Sequence, residues 1–327
     1  MDKKRMASLT ALTVMLILIL GNVAMAHAQS SQDSTGTINV VAECTISSPE
    51  LWDSGWSTDK NETQLTVNTE YRVNFTVSDQ DGMDDISYCY VKIWDTSTSS
   101  EDGANDENDH YTFKWDGATW SCLGPDARFY KGGAGSASAS LTQYEFYVGF
   151  NLSKVAQYSN AGPTYDGWKV TINASDTEAN VDTETQCLGF GVAEYMEETG
   201  LSTTHSWAGL LQGSTNNALT TPVGKLTFTA IANRVWNATA KSNATTAHVP
   251  SLGYTLGIGN VTFYSSDNVE SSIPLTTNEQ VIGTLDAQAV PSSESGTEVY
   301  CYLWVDIPAD QPPGAYVYKL TITVQKD

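Results

Sequence analysis

Apolar and polar residues alternate along most of this chain. Tyr71, Val73, Phe75 and Val77 alternate with Arg72, Asn74 and Thr76, and Trp168, Val170 and Ile172 alternate with Lys169, Thr171 and Asn173. The same period runs through Leu226 and Phe228, and through Leu320, Ile322 and Val324. A period of two sends successive side chains to opposite faces, which predicts half-buried β-strands. Helical spacing is confined to two short candidates, 152–158 and 193–198. The fold class predicted is therefore all-β, and the length suits two tandem Ig-like antiparallel β-sandwiches better than one.

Breaks in the alternation divide the chain further. Residues 96–109 are acidic and polar and 132–140 are rich in glycine and serine, so both are predicted as surface loops. The acidic stretch NASDTEANVDTETQ, 173–186, follows a strand pattern and is predicted as the linker. That places an N-terminal domain at 29–180 and a C-terminal domain at 187–327. Before them, Asp2-Lys3-Lys4-Arg5 precedes an apolar run from Leu9 to Leu20 and a stretch of small residues ending Ala26-His27-Ala28. This is the layout of a cleaved signal peptide, 1–28, and the run is too short for the ~20 residues that a membrane-spanning helix needs. The chain is expected to be secreted or held at the extracellular cell surface, with no membrane span after cleavage.

Charge and cysteine content narrow the partners. Beyond residue 28 there are 37 acidic and 13 basic residues. A field of that sign repels phosphate backbones and argues against nucleic-acid binding. Cys44, Cys89, Cys122, Cys187 and Cys301 contain no C-x-x-C pair, which argues against zinc, thioredoxin-like and c-haem chemistry. In an exported chain disulfides are the default, although the pairing is open. Cys89 and Cys301 share parity with apolar strand neighbours and are expected to point into cores as free thiols.

The densest chemistry is in FTVSDQDGMDDISYCYVKIWD, where Asp79, Asp81, Asp84 and Asp85 lie between two strand patterns. Asp-Gly is a favoured turn dipeptide and aspartate caps turns with its own side chain, so a plain turn is the expectation. The alternative is a calcium site, with the four aspartates completed by distant carboxylates or carbonyls; EF-hand spacing is not met. The six acids between Asp95 and Asp109 are expected to form a solvated, self-repelling loop that could take a cation or a basic partner.

No G-x-S-x-G or H-E-x-x-H motif occurs, and His110, His205 and His248 lie in unrelated polar segments, so no catalytic residues are expected. Sequons stand at Asn61, Asn74, Asn151, Asn173, Asn237, Asn243 and Asn260. Asn74, Asn173 and Asn260 have the polar parity of their strands and should face outward, where a glycan can be added. Trp52 and Trp56, in PELWDSGWSTD, are candidates for stacking on sugars, although a loop tryptophan more often folds back on the sandwich.

The turn-and-strand order of 77–95 resembles Ig-like or cadherin-like modules of surface proteins. Ser206-Trp207-Ala208-Gly209, the stretch KLTFTAIANRVWNATAKSNAT and DIPADQPPGAYVYKLTIT at 306–323 resemble the β-sandwich repeats of archaeal secreted cell-surface and S-layer-associated proteins. The resemblance implies a structural or adhesive role without an active site. Other surface proteins, glycans or further copies of the chain are the implied partners, with no cofactor unless calcium binds. A carbohydrate-binding module and a filament subunit assembled by strand donation are the alternatives.

Overall fold

The computed structural model describes residues 43–124, 129–135, 142–160 and 167–327, so the predicted leader lies outside the described residues. Ala42–Asp327 holds together as one unit by contact, with two separate hydrophobic cores. The protein is all-β.

The first core lies among ten strands: β1 (Thr45–Asp53), β2 (Gln64–Leu65), β3 (Glu70–Ser78), β4 (Ile86–Asp95), β5 (His110–Trp115), β6 (Trp120–Cys122), β7 (Phe129–Gly135), β8 (Gln143–Asn151), β9 (Trp168–Asp176) and β10 (Val181–Val192). One sheet has the order β1-β3-β8-β7 and the other β2-β10-β9-β4-β5-β6. The short β2 runs parallel to β10, whereas β4 is antiparallel to both β5 and β9. This is the strand order of a variable-type immunoglobulin sandwich, in which two extra strands widen the sheet built on the central hairpins.

The alternation read from the sequence explains the packing. Along β3, Tyr71, Val73, Phe75 and Val77 are buried while the residues between them are only half-buried. Phe75 stacks on Phe146 of β8 at 5.5 Å, and Trp120 of β6 meets Phe75 edge-on at 6.4 Å. Phe150 reaches Phe190 at 6.3 Å, joining the two sheets. Each fully buried ring of this kind stabilises the fold by roughly 1.5–3 kcal/mol relative to exposure.

The second core lies among β11 (Met196–Thr199), β12 (Asn217–Ala218), β13 (Lys225–Ala232), β14 (Trp236–Ser242), β15 (Thr246–His248), β16 (Thr255–Gly257), β17 (Val261–Tyr264), β18 (Ile273–Pro274), β19 (Gln280–Val281), β20 (Thr297–Val305) and β21 (Leu320–Lys326). The larger sheet has the order β11-β13-β20-β17-β18, with β12 also on β20; β19-β14-β21 and β15-β16 form smaller sheets. Phe228, Phe263, Leu303 and Trp236 fill the interior. The two halves meet through polar contacts. Lys154 Nζ lies 2.5 Å from Glu197 Oε2, Asn108 Nδ2 donates to Pro291 O at 2.9 Å, and Glu294 N donates to Glu107 Oε2 at 2.9 Å.

Four expectations are corrected here. Residues 173–186 are not a linker, because Asn173 pairs with Thr183 and Ile172 with Glu184 in the β9–β10 hairpin. Its outer positions are polar because they face water, and a bulge between Glu184 and Leu188, with Gln186 at φ +50, masks the period of two. The first core accordingly continues past residue 180 to Val192. Neither helix candidate is helical: 152–158 is turn and irregular chain, and Met196–Thr199 pairs with β13. Of the glycine-rich stretch, 132–135 belongs to edge strand β7, paired with β8 through backbone that needs no large side chain, and 136–140 lies outside the described residues.

Candidate cation site at one end of the first sandwich

The turn between β3 and β4 is built from aspartate chemistry. Asp79 N donates to Thr142 O at 2.9 Å, and Asp79 Oδ1 accepts the Asp81 N–H at 2.8 Å. Gly82 follows at φ +106, a conformation that side chains disfavour. One turn of 3-10 helix, Met83–Asp85, then delivers the chain into β4. The β4–β9 ladder sets Ile86 opposite Asp176, so the tip of the β9–β10 hairpin lies beside this turn. Asp176 closes that tip by accepting Asn180 N at 2.8 Å and Asn180 Nδ2 at 2.7 Å. Thr177 donates its hydroxyl to Asp85 Oδ1 and lies 3.0 Å from Glu178 Oε2.

Asp79, Asp81 and Asp85 thus each bring a carboxylate oxygen within 4.8 Å of the others, and Asp85, Asp176 and Glu178 do the same. Asp79 is 2 % exposed and Asp176 is 1 % exposed. Asp79 Oδ2 and Asp85 Oδ2 are buried without a hydrogen-bond partner. Among the described residues, none of Asp79, Asp85, Asp176 and Glu178 is paired with a lysine or arginine. Burial pushes the Asp79 carboxyl above the usual carboxylate range against the pull of the Asp81 N–H, and the charges of Asp85, Asp81 and Asp176 push the same way.

Three of the four aspartates singled out from the sequence therefore meet, and Asp84 is exposed and outside the group. Asp176 and Glu178 were missed because their acidic stretch read as a linker; only the β4–β9 pairing brings them here. The second acidic segment is not a solvated coil. Asp95 is fully buried and accepts from Ser97 N at 2.9 Å and Thr98 Oγ1 at 3.2 Å. Lys92, on β4, reaches Asp102 at 2.7 Å and Glu101 at 3.9 Å. Burial, with the charge of Asp106 beside it, pushes the Asp109 carboxyl up to about 6.

The remaining candidates are spread out. Trp52 donates its indole N–H to Glu50 at 2.9 Å. Trp56, 40 % exposed, stands edge-on to Tyr147 at 5.6 Å with the Arg72 guanidinium 5.1 Å above its ring. Of the sequon asparagines, Asn243 is exposed; Asn61, Asn74, Asn151, Asn173 and Asn260 are half-buried, and Asn237 is buried on β14. Asn173 Nδ2 donates to Thr183 Oγ1 at 2.8 Å. The five cysteines are free thiols, contrary to the default for an exported chain. Cys301 lies in the second core, whereas the other four lie in or against the first, so none of them shares its core.

The second half holds a cavity of about 580 Å³ whose lining includes His205, Trp207, Leu256, Gln311 and Tyr318. Trp207 stacks near Tyr318 at 6.3 Å, and His205 Nε2 lies 2.8 Å from the Tyr318 hydroxyl. Burial holds His205 below its ordinary value. The sequence reading passed over this cavity because its walls come from loops distant in the chain.

Fold and site define an all-β protein with an Ig-type sandwich and an acidic cluster at one sandwich end. No protein-family model and no curated protein matches the chain. Among solved structures, a DUF4466 family protein from Parabacteroides merdae aligns with 81% of this chain and 99% of its own, at 7% identity and a TM-score of 0.23. At that TM-score the likeness carries no argument.

Proposed function

We propose that this protein is exported and serves, without catalysis, as a structural or adhesive component of the cell surface. The observation that carries this reading is the pair of hydrophobic cores that follow one another along the chain, within one all-β unit whose connecting loops lie between strands and are available for display. The leader-like N-terminus, the acidic composition and the outward sequons at Asn74 and Asn243 support the same reading. Fractionation of native cells tests it: the protein should appear at the surface or in the medium, its N-terminus near His27 or Gln29. Recovery in the cytosol with residues 1–28 retained would refute it.

A second reading has its own observation. The cavity beside Trp207 and Tyr318 falls in the size range of small-ligand sites and presents aromatic faces beside amide groups. A carbohydrate-binding role therefore has better support here than at Trp52 and Trp56, where Arg72 already covers the more exposed ring. A glycan array probed with the protein and with Trp207→Ala tests this reading; binding that is unchanged in the variant counts against the cavity.

A further inference from the structure

We propose that the acidic cluster at the end of the first sandwich is a calcium site, in which one ion held by Asp79, Asp81 and Asp85 fixes the β3–β4 turn, whose Asp85 also accepts from Thr177 of the β9–β10 hairpin. Turn chemistry explains Asp79 Oδ1, which caps the Asp81 N–H. It does not explain Asp79 Oδ2, which is buried with no donor in a side chain only 2 % exposed. A buried carboxylate oxygen without a partner is costly, and the groups that remove that cost are a proton or a cation.

The surroundings favour the cation. Asp81 and Asp85 bring their own oxygens within 4.8 Å of Asp79, and Asp85 is shared with Asp176 and Glu178. Ligands around one calcium lie 2.3–2.6 Å from the ion, so two of them are at most about 5 Å apart. The observed spread is therefore what a single central ion spans. Every donor is a hard oxygen, which suits calcium, magnesium or manganese better than zinc or copper. The ligands come from a single irregular turn, and such a set suits the variable coordination of calcium better than the strict octahedron of magnesium. Asp176 and Glu178 contribute negative charge through the shared Asp85 and connect the two loops. The proposal stands on the first sandwich alone and is independent of where the protein resides.

The test uses the whole chain stripped with a chelator, titrated calorimetrically with calcium chloride and melted with calcium or magnesium at equal ionic strength. One calcium should bind per chain. The melting temperature should rise by about 5 °C or more once free calcium reaches about a hundred times the dissociation constant. Asp81→Asn, at an exposed position, should keep the circular dichroism spectrum of the parent and lose the binding heat. Glu178→Gln should weaken binding several-fold. A calcium-specific rise below about 2 °C, or calcium binding that survives both Asp81→Asn and Asp79→Asn, overturns the site. So does an Asp79→Asn protein that melts at or above the parent temperature while the parent ignores calcium, since the carboxyl would then be held by a proton alone.

Discussion

Replacing Trp168 with alanine removes the centre of an aromatic stack in the first core. The side chain is fully buried, 5.4 Å from the Tyr111 ring and 6.0 Å from the Phe190 ring, and its indole N–H donates to Gln157 O at 2.9 Å. Truncating a buried tryptophan costs about 3–5 kcal/mol in transfer and cavity terms. Removing the donor to the Gln157 carbonyl adds about 1 kcal/mol more. The total, about 5 kcal/mol, is as large as the whole stability of a marginal domain. With a urea dependence of about 3 kcal/mol per molar, the unfolding midpoint of the first core should fall by roughly 1.5 M. Trp56→Ala is the control: an exposed ring carrying one cation–π contact should cost about 1 kcal/mol or less. A drop below about 0.5 M for Trp168→Ala, or an equal drop for Trp56→Ala, would refute the assignment of the core.

The Asp109 carboxyl, raised to about 6, favours its protonated form in the folded state, so its stabilising share is complete below the ordinary value of 3.8 and is lost as pH rises through about 6. Asp109→Asn should therefore stabilise the protein at pH 7.5 but not at pH 4, by about 1 kcal/mol after discounting for solvent screening, read as a higher melting temperature at the higher pH only; equal effects at both pH values would count against it. Limited proteolysis should leave 173–186 intact, because Asn173 and Thr183 are paired, and fragments ending there would dispute the hairpin. Cys301, buried and pushed up to about 12, should stay unlabelled by a disulfide reagent at pH 8 until the protein is unfolded. In a glycosylating host, mass spectrometry should find added mass at exposed Asn243 and none at Asn237, which is 9 % exposed.

Much of the fold was legible in local pattern. The alternation over 71–77 and 168–172 placed β3 and β9 and identified Tyr71, Val73, Phe75, Val77, Trp168, Val170 and Ile172 as core residues, because the side-chain period of a strand depends only on its own backbone; it did not show that Lys169 and Thr171, on the other face of β9, are buried as well. The parity of Cys89 and Cys301 likewise placed both thiols inside. Local pattern failed where it was broken on purpose or where polarity was ambiguous. The bulge near Gln186 hid β10, and an acidic hairpin tip has the same composition as a linker.

The acidic site divides in the same way. From sequence alone, Asp79-Gln80-Asp81-Gly82 determined a turn, and the chain's hydrophobic alternation determined that strands flank it on both sides. Tertiary structure alone decided that Asp176 and Glu178 join the turn and that Asp84 does not, since strand pairing between β4 and β9 is a long-range choice that no local signal records. It also decided that Asp79 is buried with one oxygen unpartnered. Burial is a property of everything that packs around a residue, and around Asp79 that includes Thr142 and Asp176, which lie far from it in sequence.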